Sequence, residues 1–146
     1  MRIIDANVLV YAHREDAPEH DRYLAWLTDL LAGDEPFGLT SVVRTAFVRI
    51  VTHRRVFDPP SPLASATAFI DDVCGHDHCV PLEPGPRHWA LFKDACQDAG
   101  AGGNLVTDAH LAALAIETGS EIVTTDRDFA RFGRVRWFHP LDQAVD

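Results

Sequence analysis

The chain has 146 residues, 47% of them hydrophobic and 24% charged, and carries a net charge of −9. That length is one domain's worth of material, taken as residues 1–146, and its ordinary apolar fraction excludes a disordered chain. The longest apolar run, Leu111–Ile116, falls far short of the ~18 residues that a membrane-crossing helix needs, and the acidic total excludes a uniformly basic nucleic-acid-binding surface.

The chain opens on an apolar strand, Arg2-Ile3-Ile4, that ends on the carboxylate of Asp5. Asp5 interrupts the first apolar segment and no small-residue cleavage site follows, so the N-terminus does not read as a secretory signal and a cytoplasmic location is expected. Tyr23, Leu24, Trp26, Leu27, Leu30 and Leu31 at helical spacing predict a helix over 18–31, with Gly33 beyond its end. A short strand over 37–40 follows. Ser41 can then cap a helix in which Val42, Val43, Ala46, Phe47, Ile50 and Val51 form one stripe. Beyond the Pro-rich connection at 58–62, the pattern predicts a helix over 61–73, a strand over 79–82 and a helix from 86 to about 99. A Gly-rich loop at 100–104 leads into an apolar helix over 107–117, stopped by Gly119. A buried strand over 121–125 runs into Asp126, and a last strand fits 134–138. Strands alternating with helices predict an α/β fold: a three-layer α/β/α sandwich with a mainly parallel central sheet.

Charge is unevenly spread. Residues 43–57 hold Arg44, Arg49, Arg54 and Arg55 with no acid, residues 127–136 hold four arginines against Asp128, and the first 35 residues are strongly acidic. Basic stripes on an acidic body fit a polyanion approaching one face. Three cysteines, odd in number and sparse, predict reduced thiols rather than a disulfide framework.

In open α/β sheets the functional crevice lies at the carboxyl ends of the strands. Asp5 closes the first strand, Asp126 closes the strand over 121–125, Asp108 lies in the opening turn of the helix after the Gly-rich loop, and Asp128 follows Asp126 by two residues. Taken singly, Asp108 and Asp126 read as helix-terminal acids, whereas Asp5 in so apolar a context needs a partner. Carboxylates converging on one crevice repel one another unless a cation neutralises them, and hard oxygen donors suit Mg²⁺ or Mn²⁺. Such a site supports metal-assisted hydrolysis of a phosphodiester.

Asp5-Ala6-Asn7 after an apolar strand, the block from Asn104 through Thr107-Asp108-Ala109-His110 to Ala115, and Thr124-Thr125-Asp126-Arg127-Asp128-Phe129 resemble the three acidic blocks of PIN-domain ribonucleases. Within that family the sequence is most similar to the VapC toxins of toxin-antitoxin pairs, of the mycobacterial type. The resemblance spans nearly the whole chain, including Leu39-Thr40-Ser41-Val42 leading into the segment from Phe47 to His53. It implies a Mg²⁺-dependent endoribonuclease toxin, a homodimer, restrained by a VapB-like antitoxin. It further implies that Asp5 and Asp108 chiefly hold the ion and Asp126 completes the catalytic, metal-binding set. Asn7 and Thr125 would hold those carboxylates, and Arg49, His53 or Arg127 would meet RNA phosphates. Sequence-specific RNA recognition favours unstacked bases, so a tRNA or rRNA loop is the expected substrate.

One departure stands out: PIN nucleases commonly carry a glutamate on the helix after the second strand, and here Ala46 stands at or near that position, with no acid between residues 36 and 57. Two consequences remain open. The pocket binds one metal, or it recruits Asp128 as its fourth acid. The alternative function is a catalytically weak or inactive PIN-fold module that binds RNA or protein. A Mg²⁺ phosphotransfer domain also uses a strand-terminal Asp, but no paired Asp follows Asp5 and Lys93 is the only lysine.

Three weaker features complete the reading. Cys74-Gly75-His76-Asp77-His78-Cys79 gathers thiols and imidazoles at a spacing unsuited to structural zinc, and reads as a polar turn before a buried strand. His110, two residues past Asp108, lies off its helical face and reads as supporting or structural. Tyr11, Tyr23, Trp26 and Leu30 would, where exposed, offer an apolar stripe to an antitoxin helix, although Trp26 and Leu30 read more readily as core.

Overall fold

The computed structural model of the protein describes residues 1–142. Five strands, β1 (Arg2–Ile4), β2 (Phe37–Thr40), β3 (Cys79–Leu82), β4 (Glu121–Val123) and β5 (Trp137–Phe138), form one sheet in the order β3-β2-β1-β4-β5. All four pairings among them are parallel, with Ile3 set against Gly38 on one side and Ile122 on the other. Six helices flank the sheet: α1 (Ala6–His13), α2 (His20–Ala32), α3 (Ser41–Val51), α4 (Leu63–Cys74), α5 (His88–Ala99) and α6 (Asn104–Thr118). They pack in two sets, α1 with α2 and α3, and α3 with α4, against α5 with α6. The expected α/β/α layering is therefore the one observed.

The strand order places the site. β1 is central; the chain adds β2 and β3 on one side, then returns to add β4 and β5 on the other. The crevice at the carboxyl ends of β1 and β4 is thus a topological switch point, where the connections diverge and leave room for a ligand. Ile3, Ile4, Ile122 and Val123 are fully buried and anchor these two strands in the core.

The structure departs from the sequence expectation at several places, beginning with β4 and β5, which are shorter than the expected 121–125 and 134–138, so that Asp126 lies past the end of β4 rather than closing it. Helix α1 is not predicted by periodicity, because Ala6, Val8, Leu9, Val10 and Ala12 are all buried and the segment shows little polar contrast around its circumference. Asp5 starts it instead, its carboxylate accepting the Ala6 N–H at 2.7 Å. Helix α6 begins at Asn104, three residues before the expected start: Leu105 joins Ala109 and Ala112 on the buried face, and Gly103 supplies a φ of 59° just before the helix. Strand β3 is an edge strand with half-exposed residues rather than a buried one. Finally, Tyr23 and Leu30 are buried and the Tyr11 ring packs 5.0 Å from that of Tyr23, so the stripe expected to receive a partner helix is largely interior.

Candidate active site

At the end of β1 the Asp5 carboxylate is held on both oxygens. Oδ1 accepts the Ala6 N–H, and Oδ2 accepts the Thr124 hydroxyl at 2.7 Å and Asn7 Nδ2 at 3.3 Å. Asn7 Nδ2 also reaches Thr124 Oγ1 at 3.2 Å, and Asn7 Oδ1 accepts the Thr125 N–H at 3.1 Å. Thr124 Oγ1 in turn accepts the Asp126 N–H at 3.0 Å. The carboxyl ends of β1 and β4 are stitched together by the side chains of Asp5, Asn7 and Thr124 and the backbone amides of Ala6, Thr125 and Asp126. Burial raises the Asp5 carboxyl above the usual carboxylate range; the Thr124 and Ala6 bonds oppose the shift, the Asp126 charge adds to it, and the Asn7 bond opposes it.

Asn7 therefore stands where a residue holding Asp5 must stand. Thr125 takes part through its backbone N–H, and the hydroxyl on Asp5 belongs to Thr124. Nothing in the motif singles out Thr124, but period-two alternation through the strand end sets its side chain apart from that of Thr125.

Asp108 faces the same crevice from α6. It lies in the second turn of that helix, beyond the first turn where a carboxylate gains from the N-terminal dipole, so a capping role does not explain it. Its carboxyl is pushed up to about 7, first by burial and then by the charges of Asp126, Asp5 and Asp128. Asp126 does have a local role as well: its Oδ1 accepts the Asp128 N–H at 2.9 Å and starts a 3₁₀ turn over Arg127–Arg131.

The remaining sequence candidates lie outside this cluster. The His110 ring packs at a tilt against that of His88, with centroids 4.5 Å apart, while His88 Nε2 contacts the His110 carbonyl at 3.0 Å. Burial and His88 hold the His110 imidazole below its ordinary pKa, which fits a structural role. Arg49 lines a groove of about 510 Å³ between α3 and α4 together with Arg44, Val48, Thr67, Ile70 and Asp71. His53 is exposed just past α3, its Nδ1 accepting the Arg55 N–H at 3.1 Å. Arg127 is forked onto Asp142 at 2.9 and 3.0 Å. A further acid, Glu83, follows directly on β3 and was open to the same strand-end rule as Asp5. It accepts the Ser41 N–H at 3.0 Å and the Ser41 hydroxyl at 2.8 Å, and lies 3.8 Å from Arg44.

Among the described residues no three ligating side chains are already gathered into a cage for an ion. Asp5, Asp126 and Asp128 act on Asp108 as like charges, and that repulsion is what a divalent cation relieves. Mg²⁺ retains several waters and needs only one or two protein carboxylates, so this donor set suits it.

The PIN domain family matches residues 2–135. This chain belongs to that family. Its sequence is 46% identical over 140 residues to Ribonuclease VapC31 of Mycobacterium tuberculosis, covering 96% of this chain and 99% of that one. It is likewise 46% identical over 142 residues to VapC ribonuclease Mb2897 of Mycobacterium bovis, covering 97% of each. The fold is shared with VapBC2 from Rickettsia felis bound to a promoter DNA fragment, at a TM-score of 0.69 and 18% identity over 94% of this chain and 97% of that one. It is shared also with VapBC-1 from nontypeable Haemophilus influenzae, at 0.67 and 11% over 96% and 98%. The chain is a PIN-domain ribonuclease of VapC type.

Proposed function

We propose that this PIN domain is the toxin of a VapBC-type pair: a homodimeric endoribonuclease that uses Mg²⁺, or Mn²⁺ in its place, to hydrolyse phosphodiester bonds in a tRNA or rRNA loop, and that a VapB-like antitoxin restrains. The observation that carries this reading is the convergence of Asp5, Asp126 and Asp128 on Asp108, whose carboxyl is pushed up to about 7. Close relatives named as VapC ribonucleases and structural neighbours that are VapBC assemblies support the pairing. Specific recognition of unstacked bases favours a loop.

Asp5 and Asp108 would hold the ion, with Asp126 completing the pocket. Bound there, the ion supplies an acidified water and stabilises charge on the phosphodiester. The chain's own residues set the geometry. Asn7 and Thr124 hold the position of Asp5 and favour its ionised form against the burial that raises it. Asp126, with its N–H tied to Thr124 and Oδ1 to the Asp128 N–H, keeps Oδ2 to orient the attacking water. Arg49 and His53 meet phosphates of the flanking nucleotides, and Arg127 joins them when it leaves Asp142.

A second reading, a module that binds RNA or protein without turnover, is favoured by one observation: α3 carries no carboxylate from Ser41 to Val51, and Ala46 stands at or near the usual glutamate position. One experiment separates the two. Purified, antitoxin-free protein is incubated with total cellular RNA in Mg²⁺ and in EDTA, beside the Asp5→Ala and Asp108→Ala variants, and new 5′ ends are mapped. Discrete cuts that need Mg²⁺ and vanish in both variants are expected; RNA binding without cuts by folded, metal-loaded protein would establish the module instead.

A further inference from the structure

The groove between α3 and α4 begins beside the acidic crevice. β1 and β2 are neighbours with Ile3 set against Gly38, and two residues further along the chain from each stand Asp5 and Thr40. Ser41, the next residue, already lines the groove. Adjacent strands lie about 4.8 Å apart, so a nucleotide next to one held at Asp5 reaches the groove's mouth. Its volume of about 510 Å³ falls in the range of pockets that take small organic groups. Val48 and Ile70 give it an apolar wall, and Arg44, Arg49 and Asp71 line it with charge.

Two hydroxyls of the groove are committed elsewhere, Ser41 to Glu83 at 2.8 Å and Thr67 to the Leu63 and Ala64 carbonyls at 3.1 and 3.2 Å. The charged groups are not. Arg44 Nε is buried without a hydrogen-bond partner, and the guanidinium approaches Glu83 only to 3.8 Å. Asp71 is exposed in the last turn of α4, where a carboxylate opposes the helix dipole and does nothing for the helix. Among the described residues the Asp71 side chain enters no ion pair and accepts no hydrogen bond, although it shares the groove with two arginines.

We propose that this groove is a guanine subsite for the RNA strand beside the cleaved bond, in which Asp71 reads the base and Arg44 and Arg49 hold the phosphates on either side of it. The assignment rests on the reading of the chain as a ribonuclease. Guanine sets its N1–H and N2–H donors side by side on the Watson–Crick edge, and a carboxylate, which only accepts, takes both at once. Adenine, cytosine and uracil each place an acceptor next to the donor on that edge, and the Asp71 oxygens repel it. Val48 and Ile70 receive the face of the base, which is free only where the strand is unstacked. The arginines give the flanking phosphates charge-assisted hydrogen bonds, so the groove attracts the backbone of any strand and selects one base.

The test measures binding, so that it does not depend on turnover. Full-length protein in an Asp5→Ala background is titrated with short, fluorescently labelled adenine strands that carry one central guanine, one inosine in its place, or neither. Inosine lacks only the N2 amine, and the guanine strand is expected to bind about tenfold more tightly than the inosine strand. Asp71→Asn should bring the two to parity by weakening the guanine strand alone. Val48→Gln should weaken both strands through the lost apolar contact. Strands bound equally well with guanine and inosine would overturn the subsite and leave the ribonuclease reading standing, whereas no affinity for any strand would overturn both. Unchanged RNA affinity in Val48→Gln together with a fall from dimer to monomer on sedimentation would assign the groove to a second copy of the chain and likewise overturn the proposal.

Discussion

Thr124 and Asp5 are joined across the seam between β4 and β1 by a 2.7 Å hydrogen bond in which the hydroxyl donates and the carboxylate accepts. The same hydroxyl accepts the Asp126 N–H at 3.0 Å, so one fully buried oxygen fixes two aspartates that arrive from different strands. It also favours the ionised form of Asp5 against the burial that raises that carboxyl.

Thr124→Val keeps the volume and removes both the donor and the acceptor. The Asp126 N–H and one Asp5 oxygen then lose a partner in a place water reaches poorly, which costs about 1–3 kcal/mol of stability. Single-turnover RNA cleavage should slow as well, because both aspartates lose their fixed position. Thr124→Ser should recover most of each loss. Urea unfolding and cleavage run on the two variants together check this, and a Thr124→Val protein unchanged in both would remove the bridging role.

Asp108 gives the metal-free protein a pH dependence of definite sign. Its carboxyl titrates at about 7 in the folded chain against an ordinary 3.8, so the folded state binds the extra proton in between. The stabilisation is complete below the unfolded value and is lost as pH rises through the folded one. The full shift of about three units corresponds to ~4 kcal/mol; a half-buried carboxyl keeps only part of that after solvent screening, on the order of 1–2 kcal/mol. In EDTA, Asp108→Asn should be more stable than the unaltered protein at pH 8 and equal to it near pH 3. Urea midpoints at both pH values decide the matter, the opposite order at pH 8 being incompatible with a repelled carboxylate.

How far the sequence reached can be seen residue by residue. Asp5 and Asp126 were legible because an acid ending an apolar strand is conspicuous, and the strand-end rule then points at the crevice between β1 and β4. The parallel sense of the sheet followed from alternating strand and helix patterns, whereas its strand order came only from the structure. Helix α1 was hidden because burial on nearly every side erases the 3.6-residue contrast. The early start of α6 was hidden by glycines whose loop-like composition ends at Gly103. Thr124 and Glu83 were missed for a different reason. Their importance lies in bonds to residues distant in sequence, Asp5 and Ser41, and no local pattern carries that information.

Gly38 leaves room for the Leu82 side chain of β3. A Cβ built there would stand 2.3 Å from Leu82 Cδ1 and 3.0 Å from Leu82 Cγ, so Leu82 must swing away. Because Gly38 is buried in the middle of the sheet, Gly38→Ala should destabilise by about 1–3 kcal/mol through overpacking. The double variant Gly38→Ala, Leu82→Ala should recover part of the deficit expected from adding the two single losses. Urea midpoints of the four proteins measure that coupling, and strict additivity would show that the Leu82 side chain is not what the new methyl meets.

Arg127, expected from the family resemblance to meet RNA, is forked onto Asp142 instead, Nη1 to Oδ2 at 2.9 Å and Nη2 to Oδ1 at 3.0 Å. The guanidinium holds the Asp142 carboxyl below the usual carboxylate range, but both side chains are exposed and water competes for each. If Arg127 meets RNA as proposed, an approaching phosphate would exchange one anion for another on it, and Asp142 would weaken RNA binding by the difference. Asp142→Ala should tighten binding several-fold and steepen the dependence of log K on log salt by about one phosphate contact. Arg127→Ala should weaken binding across sequences and cancel the gain when combined with Asp142→Ala. These affinities are best read by filter binding over a salt series in an Asp5→Ala background, where the RNA is not consumed. A slope that stays the same in Asp142→Ala would mean that Arg127 never reaches the RNA.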